Sequence, residues 1–521
     1  MMKENLMKEV SKNKQFIINM SASLISCVVG LAISFFISPL VINKLGFEAH
    51  SFVTMANNFV NYAAILAMAL NSMAGRFITI KIHQNDREGA NAYFNSIMYA
   101  NMMMAGVLIL PSVLVVVFLE HIVNISPELL ADVRLLFAVT FLNFMVTIIS
   151  TTFSTATFAV NRLDLSSMRT IESQLLKAVL LVSLFRFLPV NVSYIGIATF
   201  ASNVYLFLTY IHYTKKLLPQ ITVSPRYFEW AKVLEILSAG IWNTVMRSGQ
   251  VLTNQLDTYL SNLWIGKDEG GLTSTATTIA NAINTLYETV AAVFTPSLTI
   301  SFAKDNKDEL ISDLKSAMRM TGLFANIPLC FVIAFGIPFY QLWLPQKADS
   351  IPVIYRLTLL IMCGTLVGGA ISPLFNVYTI VNKLKWNSLV TLFMGIANVI
   401  VVFILLQFPA LQEYGLYFIA GVSSFLGIIK NLTFTPMYAA HCLELPKKTF
   451  YPTIFKYMFV TVLMTGVFCV FNLLITTSNW FVLVGDVFLC GVTGLLMNYA
   501  ILFTEKERTI LQETVLKYVK H

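Results

Sequence analysis

The sequence predicts an all-α polytopic membrane protein of about fourteen transmembrane helices. Three observations carry that expectation. Hydrophobic residues make up 57% of the 521 and charged residues 12%, with a mean hydropathy of +0.72. Soluble proteins carry roughly 25% charged residues. Apolar stretches long enough to cross about 30 Å of hydrocarbon as helices recur from end to end. The basic residues gather in connections on one side of the apolar segments.

The spans are expected near 15–41, 52–79, 92–119, 133–158, 167–188, 192–213, 237–264, 272–301, 317–343, 352–381, 387–408, 413–437, 453–476 and 480–503. Connections on one side hold 24 Lys and Arg, against Lys44, Lys267 and Lys347 on the other. The positive-inside rule then puts both termini in the cytoplasm. The pI of about 9.0 is a topological signal here, with no nucleic-acid partner implied. The six cysteines are scattered with no C-x-x-C, as small buried hydrophobes are. The apolar run continues past Cys27, so "LISC" is read as part of an uncleaved first span.

The chain repeats. "NKLGFEAHSF" (43–52) precedes "LWIGKDEGGL" (263–272) by 220 residues, and the same offset pairs "IHQNDREGANAYF" with "FAKDNKDELISDL". "AVNRLDLSS" (159–167) matches "IVNKLKWNS" (380–388) at one residue more. Two parallel six-helix repeats are expected to form two lobes around a central cavity, a transporter arrangement with substrate between the halves. The expected division is an N-terminal lobe over 1–214, a linker over 215–236, and a C-terminal lobe over 237–441. Helices 13 and 14 follow over 442–504, then an amphipathic tail over 505–521 carrying Ile510, Leu511, Val515, Leu516 and Val519.

Span 7 carries a polar stripe. At 100° per residue, Asn243, Arg247, Gln250, Asn254 and Asp257 share one face. Thr277, Asn281, Asn284, Glu288 and Thr295 do the same on span 8. An ionisable group at bilayer depth costs about 2.5–3.5 kcal/mol on insertion scales, so such faces meet a cavity or one another. Further embedded charges are Arg76, Glu172, Lys177 and Lys430. Two readings of Arg247 stand side by side: a receptor for an anionic headgroup, which guanidinium suits, or an ion pair with Glu288 or Asp257. Lys177 reads first as a partner of Glu172 or a snorkelling lysine. Asn57, Asn58 and Asn61 either line the cavity or hold helices together. Gly364-x-x-x-Gly368 is a close-packing signal, and Pro111, Pro296, Pro328 and Pro373 are candidate kinks. There is no Walker A loop and no H-E-x-x-H motif, and none of the six His lies deep in a span, so the chain does not read as an enzyme.

With these features in hand, the chain resembles the polysaccharide (O-antigen/exopolysaccharide) flippases, the Wzx-type members of the multidrug/oligosaccharidyl-lipid/polysaccharide exporter superfamily. The resemblance rests on "SPLVINKLG" ending span 1, Arg76 in "GRFITI", the loop "HQNDREGAN", "LDTYLSNLWIG" with Asp257, and the "NKLKWNS" turn. It implies alternating access that moves an undecaprenyl-diphosphate-linked oligosaccharide from inner to outer leaflet for surface polysaccharide assembly. Arg247, Arg76 and Lys430 are the matching diphosphate and sugar contacts, joined by Gln250, Asn254, Asn281, Asn284, Asn243 and Lys177. No cofactor is implied beyond a coupling proton or Na⁺, for which Asp257 and Glu288 are the candidates. Membrane lipids, a polysaccharide polymerase and glycosyltransferases are the implied partners. A cation-coupled multidrug exporter and a lipid-linked peptidoglycan precursor flippase are the rival readings within the superfamily.

Overall fold

A computed structural model describes residues 2–295, 298, 301–302, 307–381, 383–505 and 507–509. Pro296 and the tail positions from Ile510 onward lie outside them. The described residues form helices and connections, with no strand among them. In chain order the helices are α1 (Met2–His83), α2 (Arg87–Val117), α3 (Leu119–Ile122), α4 (Leu130–Ala159), α5 (Leu163–Phe187) and α6 (Ser193–Leu217). Then come α7 (Trp230–Asn254), α8 (Asp257–Trp264), α9 (Lys267–Val293), α10 (Lys307–Trp343), α11 (Ile351–Met362) and α12 (Thr365–Ile371). The last are α13 (Leu374–Ile380), α14 (Leu384–Leu406), α15 (Gly415–Leu432), α16 (Phe434–Cys442), α17 (Tyr451–Leu474) and α18 (Trp480–Met497).

Ten helical segments among the described residues are long and apolar enough to cross a membrane. Helix occupies all fourteen expected ranges, but the two counts differ for physical reasons. Spans 1 and 2 join into α1, interrupted at Gly46 alone, with φ 88° and ψ 175°. That backbone lies where a Cβ is strained, so glycine permits the break. α5, α7 and α9 are not among the ten, and each carries charge within its length: Glu172 and Lys177 on α5, Arg247 on α7 and Glu288 on α9.

Local chemistry fixes the connections. Asp86 caps α2 by accepting from Gly89 N, and its carboxyl also accepts from Lys81 at 2.8 Å. Asn161 takes φ 57° in the "NRL" turn, a conformation asparagine tolerates better than most residues. Asn19 holds that turn through both its backbone and its side-chain oxygen. Arg162 then grips Asp164 at 2.9 Å.

The chain forms two compact units, residues 1–275 with 388–404, and residues 276–387 with 405–521. In the first, one apolar core gathers Phe52, Phe137, Phe141 and Leu181 from α1, α4 and α5. Beside another core of Leu70, Ala74, Met98, Ala100 and Phe153, Asn71 and Asn101 exchange hydrogen bonds and Asn101 donates to Thr152. In the second, Leu314, Met318, Val377, Tyr378 and Phe450 form the core.

The linker is bound along α2. Asn91 donates to Gln220 O and accepts from Thr222 N; Asn95 donates to Thr222 O and accepts from Ser224 N. Ser96 Oγ accepts from Glu229 N. Two amide side chains thus satisfy the backbone of an extended segment as a neighbouring strand would. Leaving such groups unpaired costs about 1–3 kcal/mol each. The Asn91→Ala/Asn95→Ala double variant should therefore melt several degrees lower when heated samples are followed by fluorescence-detected size exclusion. An unchanged midpoint would mean that water replaces the ladder.

Candidate functional site

The polar stripe of span 7 sits against the second segment of α1, all within the first unit. Gly240 packs on the backbone of Ala69 with no room for a Cβ. Asn243 Nδ2 donates to Ser72 Oγ at 3.2 Å, and the Arg247 guanidinium donates to Asn61 Oδ1 at 3.3 Å. One turn further along α1 from Ser72 lies Arg76, exposed.

Span 7 is not one helix. α7 ends at Asn254 and α8 starts at Asp257. The break frees the Gln255 carbonyl from the helical ladder, and α1 supplies its partners: Asn58 Nδ2 at 2.8 Å and Tyr62 Oη at 2.9 Å. The interruption resets the helical phase, so the stripe does not run straight through. Asn254 is exposed, whereas Asp257 is 4% exposed and makes no ion pair among the described residues. Expected pairing of Arg247 with Asp257 is therefore not found. Gln255 Oε1 is also buried without a hydrogen-bond partner. A broken span with a buried carboxylate and spare carbonyl-type oxygens is a form that transporter folds use to bind cations.

The other face of α7 receives α14. Gly249 faces the backbone of Thr391 and Leu392, and Gly395 faces the Gly249 carbonyl, with no space for a side chain at either glycine. Asn398 Nδ2 donates to Leu252 O at 3.1 Å, and Trp264 meets Phe403 with ring centroids 5.8 Å apart. The sequence signal taken for close packing lay elsewhere. A Cβ on Gly364 would meet nothing within 4 Å, and the crowded glycine of that segment is Gly369, against Ala325 and Tyr457.

α5 corrects a second expectation. Glu172 pairs with Arg169 and accepts from Tyr205; Lys177 is not its partner. Glu172 and Lys177 are five residues apart, about 140° around a helix, whereas Arg169 at i−3 shares the Glu172 face. Lys177 is half-buried in mid-helix.

The second unit holds Asn281, Asn284, Glu288 and Lys430. Asn281, Thr285 and Glu288 form an exposed polar row on α9, and Asn284 accepts from Thr365 at 3.4 Å. The Lys430 ammonium lies 5.6 Å from the Phe375 ring centroid. A carboxylate passed over in the sequence, Asp486 of α18, is buried and accepts from Thr477 at 2.7 Å. An aspartate inside an otherwise apolar span was the signal for it.

The repeat is visible in a contact. Thr54 and Ser274, 220 residues apart and so equivalent, hydrogen-bond to each other at 2.5 Å, with His50 on the same Ser274 hydroxyl at 3.1 Å.

These features define an all-helical, multi-pass membrane protein. The fold matches the lipid II flippase MurJ in an inward closed conformation (TM-score 0.67, 15% identity, 93% of this chain and 98% of that one). It also matches an inward-facing multidrug resistance MATE family transporter of the MOP superfamily (TM-score 0.64, 14% identity, 82% and 99%). The membrane protein EpsK of Bacillus subtilis (strain 168) is 29% identical over 438 residues, 84% of this chain and 85% of that one. Residues 16–302, more than half of the chain, match the family described as polysaccharide biosynthesis protein. The chain belongs to that family, as its resemblance to the polysaccharide flippases implied.

Proposed function

We propose that the protein is a flippase that carries an undecaprenyl-diphosphate-linked oligosaccharide from the inner to the outer leaflet for surface polysaccharide assembly. Family membership supports the polysaccharide setting, and the MurJ-like and MATE-like fold supports transport rather than chemistry on the substrate. The observation that carries the reading is the exposed polar surface on helices of membrane-spanning length. Ser72, Arg76 and Asn254 in one unit, and Asn281, Thr285 and Glu288 in the other, are exposed. Such groups do not face lipid. Within each unit they fit a water-exposed surface for a polar headgroup, with the polyprenyl tail left in the bilayer.

In this mechanism Arg247, Arg76 and Lys430 receive the diphosphate from the cytoplasmic side. Gln250, Asn243, Asn254, Asn281 and Asn284 take the sugar hydroxyls, and Lys177 adds a further cation. The repeats over 1–214 and 237–441 are the moving halves. The Ser72–Asn243 and Asn58–Gln255 bonds between α1 and α7 then open and re-form in each cycle. Asp257, buried beside the broken span, is the favoured site for a coupling proton or Na⁺, with Glu288 second. On this reading both termini lie in the cytoplasm, as the loop charges suggest.

The testing experiment is a deletion strain, with lipid-linked sugars extracted and their sidedness probed by an impermeant label. Lipid-diphosphate oligosaccharide accumulating in the inner leaflet, with surface polysaccharide lost, is the expected result. An unchanged pool with raised drug sensitivity would select a multidrug exporter instead. A second expectation concerns the latch. In a background lacking the six native cysteines, a Ser72→Cys/Asn243→Cys pair should stop transport when oxidised and regain it on reduction. Undiminished transport by the cross-linked protein would exclude opening at that contact.

A further inference from the structure

The second unit contains a cavity of about 320 Å³ where Phe302, Lys307, Val381, Lys383 and the segment that follows α16 meet. Phe302, Leu310, Ile311, Val381 and Leu445 give it apolar walls; Lys307, Lys383 and Glu444 are its charges. Lys307 Nζ donates to Glu444 at 2.9 Å. That contact, and Lys383 more distantly, holds the Glu444 carboxyl below its ordinary range. Among the described residues that line it, cations outnumber anions by one.

The internal repeat shows how it differs from its counterpart. Ile311 falls opposite Asn91, and 442–445 falls opposite 221–224. In the first repeat Asn91 binds the linker backbone at Gln220 O and Thr222 N. Ile311 has no amide to hold a backbone, and space remains. Lys383 falls opposite Arg162, and Lys385 opposite Asp164. The first copy neutralises its turn with the Arg162–Asp164 pair; the second replaces the acid by a second lysine. The exposed Trp386 beside this turn is a residue type enriched at the membrane–water interface.

We infer that this cavity binds the phosphate headgroup of an anionic phospholipid of the inner leaflet, with Lys383 and Lys307 on the phosphate and Phe302, Val381 and Leu445 on the glycerol and first methylenes. Basic pockets at helix ends on the cytoplasmic side are suited to such headgroups. The inference takes the orientation proposed above and is independent of what the protein transports.

The test uses the full chain in nanodiscs of phosphatidylcholine, with and without phosphatidylglycerol, and separately with inorganic phosphate in solution. Retained lipid is read by native mass spectrometry after gentle release into detergent. Phosphatidylglycerol should be retained in preference to phosphatidylcholine, and Lys383→Gln should weaken that preference about fivefold, the loss expected for one lysine near the surface. Leu445→Trp, which fills the cavity and keeps both lysines, should weaken it as well. Lys347→Gln, outside the cavity, should not. Equal retention by wild type, Lys383→Gln and Leu445→Trp would overturn the proposal. So would displacement of the phospholipid by inorganic phosphate alone at millimolar concentration, because the site would then be one for a soluble anion. Transport activity is not read, so failure here leaves the flippase reading untouched.

Discussion

Arg247→Ala should abolish transport while the protein accumulates in the membrane at near its normal level. The residue is half-buried on α7 and donates to Asn61 at 3.3 Å, a long bond for a guanidinium. Removing a charge that contacts a desolvated diphosphate costs roughly 2–5 kcal/mol. At about 1.36 kcal/mol per tenfold, that is at least thirtyfold in rate. Arg247→Lys should recover a minor part, since an ammonium keeps the charge and loses the planar fork. Transport per molecule is the decisive quantity, measured against protein level on the same membranes. Full activity would remove Arg247 from the site. A fall in protein level with activity per molecule retained would assign it to helix packing, alongside Asn61.

Gly249→Val should leave no monodisperse folded protein. Any Cβ at this position would lie 2.5 Å from the Leu392 nitrogen and the Thr391 carbonyl. Backbone atoms of a packed helix cannot rotate away, so α7 and α14 must separate. Overpacking costs typically 1–3 kcal/mol where side chains can yield, and here none is available to do so. Separation also breaks the Asn398–Leu252 bond. Gly249→Ala should lower the melting point by several degrees and Gly395→Ala should do the same. The contrast is Gly364→Ala. Its methyl would enter open space at a helical φ of −59°, so stability should hold or rise by about 0.5–1 kcal/mol. A thermal series on the four proteins decides the matter. Equal behaviour of Gly249→Ala and Gly364→Ala would show that the α7–α14 contact is not tight in the membrane.

The helical class was legible because apolar length is a property of sequence windows, and the bilayer admits few alternatives. The repeat was legible for a similar reason. Loop motifs keep their spacing, and the Thr54–Ser274 contact falls at the 220-residue offset those motifs show. The stripe on span 7 was legible up to Asn254 and misread beyond it. Periodicity assumes an unbroken helix, and nothing in "TNQLD" forbids one. The break is held from outside, by Asn58 and Tyr62 on the Gln255 carbonyl. Partner choice was least legible. Glycine spacing pointed to Gly364, but only a neighbour decides which glycine is crowded, and α14 selects Gly249 from over a hundred residues away. Of the asparagines in "EGANAYFN", Asn91 fell in the loop motif and Asn95 inside span 3, and the sequence assigned neither a role. Their role depended on where the linker's backbone would run.

The α7–α14 contact has a consequence for biosynthesis. α7 is finished at Asn254, but the helix that fills its glycine face, α14, is complete only at Leu406. About 150 residues separate the two ends, which at roughly 5–20 residues per second is on the order of 8–30 s of translation. During that interval α7, a helix too polar to be counted among the apolar spans, has α1 and, through Tyr93, Phe94 and Ile97, α2 to hold it. The polar bonds from Asn58, Asn61, Tyr62 and Ser72 are already available, because α1 leaves the ribosome first. The order of synthesis thus supplies the polar partner before the one that covers the glycine face, and α7 waits in the membrane half-packed until α14 arrives.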